Sequence, residues 1–148
     1  MLESCQTAQE RWGGVHELID RWLEERRQLL VSYYRLTKAL ADQGKTSTEA
    51  LEGFREWLTD YLSAGHFEIY EQLMKEAQAF GDQPALVLLD QALPKLHTLT
   101  HQLMDLDSQL NPAALQRLES NLSQIGELLA ERFDIEDQLI EKLHSAHA

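Results

Sequence analysis

Cysteine occurs once in the 148 residues, at Cys5, so no disulfide can close within the chain. That usage points to a reducing cytoplasm and leaves Cys5 as either a reactive thiol or a bystander. Three prolines and seven glycines are too few for a flexible linker or a low-complexity tract. No apolar run approaches bilayer-spanning length, because arginine or glutamate interrupts each one. The opening, with Glu3, Glu10 and Arg11 and no apolar centre, is not written as a secretory signal. Strand-type alternation, a glycine-rich phosphate loop and a nucleophile elbow are also missing, and the spacing of Ser, His and Asp nominates no triad.

What is present suits one helical domain over residues 1–148, with residues 1–6 and 145–148 expected to fray. The apolar fraction is 43%, enough at this length to bury a core. The net charge of −12 is uneven. Residues 1–40 carry six acids and six bases, whereas residues 41–148 carry nineteen acids and seven bases. Such a surface repels phosphate backbones. It either steers a basic protein toward the chain or serves solubility alone.

Four segments repeat apolar residues at three and four. The first, Thr7 to Ala41, runs through Trp12, Val15, Ile19, Trp22 or Leu23, Leu29, Tyr33, Leu36 and Leu40; Gly13-Gly14 weakens its start and Gly44 suits its C-cap. Thr46 or Ser47 caps the second, with Glu49 at capping-box spacing from Thr46, and this segment continues to Phe80. The third, 84–109, begins after Asp82 or Gln83 and contains Pro94, which predicts a kink or break near Asp90. Asn111 caps the fourth, whose repeat is Leu115, Leu118, Leu122, Ile125, Leu129, Arg132, Glu136, Leu139 and Leu143. Short loops between long helices give an all-α, antiparallel four-helix bundle.

Four polar residues interrupt those stripes. Arg26, Arg132 and Glu136 occupy core steps, and His66 falls on the stripe of Phe54, Leu58, Leu62, Ile69 and Leu73, one residue after Gly65. Buried without partners each would cost several kcal/mol, so Arg132 and Glu136 should contact each other or groups from the first and second helices. The outcome is either an internal ion-pair network or a polar cavity for a partner's side chain. A hemerythrin- or ferritin-like metal enzyme or sensor is the alternative, since His16/Asp20 and His97/His101 are four apart and Glu141-Lys-Leu-His144 matches Glu-x-x-His. A di-iron bundle needs that motif twice, and it occurs once.

Three blocks carry a family resemblance: Leu18-Ile-Asp20-Arg-Trp22-Leu-Glu-Glu-Arg26, Asp60-Tyr-Leu-Ser-Ala-Gly-His66-Phe-Glu-Ile-Tyr70-Glu71, and Ile125-Gly-Glu-Leu-Leu-Ala-Glu-Arg132-Phe133-Asp-Ile-Glu136-Asp137. In these the chain resembles the Rsd/AlgQ family of bacterial anti-sigma regulators, and its opening Leu2-Glu-Ser-Cys-Gln is similar to the AlgQ branch. Residues 40–50 and 80–115 resemble it least. The resemblance implies a non-enzymatic helical bundle; cysteine usage, hydropathy, charge and motif spacing add the expectation of a cytoplasmic protein without cofactor, metal, membrane or direct nucleic-acid contact. Its implied partner is the primary sigma factor of RNA polymerase, chiefly the C-terminal promoter-reading domain. The partner-binding candidates in the blocks are Asp20, Arg21, Trp22, Arg26, Asp60, Tyr61, Ser63, His66, Tyr70, Glu71, Arg132, Phe133, Glu136 and Asp137. Asp60 and Tyr70 are expected to be exposed or to line a cavity, and so to matter more for binding than for stability.

Overall fold

The computed structural model describes the backbone of residues 2–64 and 68–147 and the side chains of residues 17, 19–64 and 68–142. Among them are five helices and no strand: α1 (Leu2–Gln43), α2 (Thr48–Ala64), α3 (Tyr70–Ala79), α4 (Gln83–Ser108) and α5 (Leu115–His147). The fold is an all-α bundle. The second sequence segment is recorded as two helices, with a π-type turn at residues 68–69 leading into α3. The Gly65 and His66 expectations lie outside the described residues. α1 is continuous from Leu2, through Gly13-Gly14.

Local chemistry sets the helix ends. Gly44 and Gly81 take φ of +68° and +62°, a left-handed conformation that carries no Cβ penalty for glycine. Ser47, not Thr46, caps α2, its Oγ accepting from the Ala50 amide at 3.0 Å. Asp82 caps α4 by accepting from the Ala85 amide at 3.1 Å, with Pro84 in the first turn. Asn111 does not cap α5. Its Oδ1 accepts from the Ala113 amide at 2.9 Å, which closes a local turn, and the helix starts only at Leu115.

Nor does Pro94 break α4. Proline removes a donor to the carbonyl four residues back, here that of Asp90. Both Asp90 and Pro94 are exposed, so water can serve the freed oxygen; of the kink or break expected there, the break does not form.

The stripes largely face inward, but Leu115, expected on the fourth stripe, is 39% exposed at the start of α5. Phe54, Leu58, Leu62, Ile69 and Leu73 are buried, as are Leu118, Leu122, Ile125, Leu129 and Leu139. In α1 it is Trp22 that is buried, and Leu23 packs at the core's margin. One glycine marks a close approach. A Cβ on Gly126 would collide with the hydroxyl of Tyr33, which donates to the Leu122 carbonyl at 2.7 Å. Alanine there would gain up to about 1 kcal/mol of helix propensity, but moving the ring loses that hydrogen bond and its packing, about 1–3 kcal/mol. Gly126→Ala should therefore destabilise by about 1 kcal/mol in urea titration. In a Tyr33→Ala background the same change should stabilise; destabilisation in both backgrounds would remove Tyr33 as the cause.

Candidate functional site

The polar residues on the seam converge, and all five helices contribute to where they meet. Arg132 of α5 is wholly buried, and its Nε donates to Glu136 Oε1 at 2.8 Å. Its Nη1 donates to the hydroxyl of Thr100 on α4. Glu136, also wholly buried, accepts at Oε2 from the Tyr61 hydroxyl of α2 and from Arg26 Nη2 of α1 at 3.5 Å. Arg26 reaches outward as well: Nε donates to Tyr61 Oη at 3.3 Å, and Nη1 donates to Asp137 Oδ1 at 2.6 Å. The network thus grades from a fully enclosed pair to an ion pair whose Asp137 end is 60% exposed. Burying two arginines requires this pairing, since an uncompensated charge inside would cost several kcal/mol.

Aromatic rings wall the network. Trp22 stacks on Tyr61 with centroids 6.0 Å apart and meets Tyr70 of α3 edge-on at 5.8 Å. The guanidinium of Arg132 lies 5.6 Å from the Tyr61 centroid and 5.5 Å from that of Tyr70, and Arg26 lies 4.5 Å over Phe133. Such placements favour a cation that has lost water. Donors outnumber acceptors here: Trp22 Nε1, Tyr70 Oη and Arg132 Nη2 are buried and make no well-aligned hydrogen bond among the described residues.

Enclosure shapes the titration of these groups. Burial, reinforced by the Glu136 charge, pushes the Tyr61 and Tyr70 phenols above their ordinary range, so both are neutral near pH 7. Burial also raises the Glu136 carboxyl above 4.5, and Arg132, Tyr61 and Arg26 oppose the rise without cancelling it. Between 4.5 and the raised value the folded chain holds a proton that the unfolded chain has released. Glu136 therefore makes folding less favourable as pH climbs through that window. Glu136→Gln cannot titrate. Its melting temperature relative to the parent should shift in the variant's favour as pH rises from about 4.5 toward neutrality; a constant difference would show that the carboxyl is not shifted.

The remaining candidates lie around this centre. Asp20, Arg21, Asp60, Ser63 and Glu71 are exposed, and Glu71 lies 3.9 Å from Lys75. Ser63 lines a groove of about 460 Å³ between α2 and α4, with Leu58, Leu62 and Met104. His66 is outside the described residues. Tyr70 departs from expectation. It is 2% exposed, three residues before the buried Leu73 on the inner face of α3, with its ring against Trp22 and Arg132.

Three contributors went unrecognised in the sequence. Thr100 held an apolar step of the third repeat, and that was the signal available for it. Glu25 and Glu68 belong with Asp60: burial first, then the charges of Asp60 and Glu68, raise the Glu25 carboxyl, against the pull of Arg21. Carboxylates thus crowd where α1 meets α2 and the turn before α3.

Among the described residues no cluster of three or more His, Cys, Asp or Glu is placed to hold a metal. His97, His101, Asp20 and Glu141 are exposed, and the side chains of His16 and His144 are not described. No described helix is long and apolar enough to cross a membrane.

Comparison with known proteins gives these blocks a context. The family model described as regulator of RNA polymerase sigma(70) subunit, Rsd/AlgQ, matches residues 1–144. A regulator of sigma D from Enterobacter sp. (strain 638) is 41% identical over 150 residues, covering 95% of this chain and 88% of that protein. Regulators of sigma D from Pectobacterium atrosepticum and Yersinia enterocolitica are 38% and 36% identical, covering 97% and 95% of this chain and 99% and 89% of theirs. No solved structure matches. With both the family model and full-length relatives aligned along nearly its whole length, the chain belongs to the Rsd/AlgQ family of regulators of the RNA polymerase sigma(70) subunit.

Proposed function

We propose that the protein is a cytoplasmic anti-sigma regulator that binds the primary sigma factor, chiefly at its C-terminal promoter-reading domain, and keeps it from core polymerase or promoter DNA. It does so by binding alone, without catalysis, cofactor or direct contact with nucleic acid. One observation carries this reading: where α1 meets α2 and the turn before α3, Glu25, Asp60 and Glu68 share one neighbourhood, and burial first, then the charges of Asp60 and Glu68, raises the Glu25 carboxyl against the pull of Arg21. Like charges held this way are relieved by a cation brought from outside. A helix-turn-helix domain that reads DNA presents a basic face to phosphates and so supplies one. The buried network behind the cluster holds α1, α2 and α5 in register, which keeps the carboxylates in place.

The test is a titration of the isolated C-terminal sigma domain. Affinity should fall as salt rises, because exposed charges act over about 8 Å at physiological ionic strength. Asp60→Lys should weaken binding by at least about tenfold while leaving stability within about 0.5 kcal/mol, as surface changes do. Binding indifferent both to salt and to Asp60→Lys would refute this placement of the interface.

A further inference from the structure

The outward face of the second half of α1 has the opposite character to the rest of the molecule. Between Glu25 and Asp42 the chain has no acid and four bases, Arg26, Arg27, Arg35 and Lys38. Arg27, Arg35 and Lys38 line a shallow surface groove with Leu30, Val31 and Tyr34, and one acid, Asp42, borders it at the helix end against these three bases. Leu30 is 43% and Tyr34 63% exposed, although Leu29, Leu36 and Leu40 on the opposite side of the same helix are buried. Arg27 is held by Glu24 at 3.0 and 2.7 Å. Lys38 lies 5.9 Å over the Tyr34 ring. Neither Arg35 nor Lys38 meets a carboxylate among the described residues.

In a chain of net charge −12, this ridge has the wrong sign for the basic domain proposed above, so it calls for a different occupant. A second copy of the chain fits poorly. Among the described residues its own exposed large hydrophobics outside α1, Val87, Met104 and Leu115, lie on separate stretches and form no matching stripe. From Arg27 to Lys38 the ridge rises about 17 Å, three helical turns. Tyrosine and arginine, prominent on it, are the residue types that most often anchor interfaces. We propose that this face of α1 docks an amphipathic helix of a second protein, one that carries carboxylates beside its apolar stripe. Apolar anchors spaced three and four apart would lie along Leu30, Val31 and Tyr34, and the flanking carboxylates would meet Arg35 and Lys38.

The probe is a synthetic helical peptide with leucines on one face and glutamates flanking them, titrated against the full chain. A lysine-flanked version of the same peptide is the control. The glutamate peptide should bind, and Tyr34→Ser and the double variant Arg35→Glu/Lys38→Glu should each weaken it by at least about tenfold. The lysine peptide's affinity should not fall with either. These positions are exposed, so thermal melts of the variants should match the parent. Failure of the glutamate peptide to bind, or binding that ignores both variants, overturns the proposal. It is also overturned if phosphatidylglycerol vesicles or a DNA duplex bind through Arg35 and Lys38 in the peptide's place. A concentration-dependent dimer abolished by Tyr34→Ser would assign the face to a second copy instead. None of these outcomes depends on sigma binding, so this proposal and the function above fail separately.

Discussion

Replacing Glu136 by alanine is expected to cost about 3–5 kcal/mol of stability, the range for breaking a buried ion pair from one side. The carboxylate takes four roles at once: it accepts from Arg132 Nε, from the Tyr61 hydroxyl and from Arg26 Nη2, and it neutralises a guanidinium with no access to water. Its removal strands Arg132 inside the bundle, where Thr100 still accepts one bond but offers no charge. Arg26 suffers less because its 2.6 Å bond to Asp137 faces solvent. Urea denaturation of the parent and the variant measures the difference. A companion variant, Arg132→Met/Glu136→Leu, should lose much less than Glu136→Ala, since replacing both partners by apolar side chains leaves no uncompensated charge. A loss below about 1 kcal/mol for Glu136→Ala would mean that water reaches Arg132 in solution.

That pair was readable without coordinates, and the reason is periodicity. Arg132 and Glu136 continue a leucine stripe at steps of three and four, so a helix that buries Leu129 and Leu139 must bury them too. The same logic located most of the buried stripe and the inward placement of Arg26, though not the exposure of Leu115. Tyr70 stands eight residues after Leu62 and three before Leu73, at helical spacing for the buried face, and reading it as a surface or cavity residue passed over that spacing; its ring packs against Trp22 and Arg132. Thr100 was hidden for another reason. It sits on α4, and a threonine on an apolar stripe reads as a small core residue until an arginine on a distant helix is seen to need its oxygen. Pro94 leaves α4 uninterrupted because it lies on the solvent side, where water takes the freed carbonyl.

Tyr70 offers the sharpest contrast between a side chain's body and its polar tip. Tyr70→Ala is expected to cost about 3–5 kcal/mol, as the loss of other large buried aromatics does. The ring is 2% exposed, meets Trp22 edge-on at 5.8 Å and lies 5.5 Å from the Arg132 guanidinium. Tyr70→Phe keeps all of that. What it deletes is a hydroxyl that is buried beside Arg132 and Glu136 and makes no well-aligned hydrogen bond among the described residues, a group whose desolvation makes folding less favourable. Stability should therefore stay level or rise by up to about 1 kcal/mol, and the melting temperature should move the same way. Binding of the sigma domain separates two roles for the residue. A ring that only supports the network leaves Tyr70→Phe binding like the parent, whereas Asp60→Lys, on the surface, loses affinity without losing stability. Should Tyr70→Phe lose more than about 1 kcal/mol, the hydroxyl has a partner in solution and the donor excess around Arg132 is satisfied. Should it keep its stability yet lose the sigma domain, the buried hydroxyl becomes accessible on binding, and α3 must move to present it.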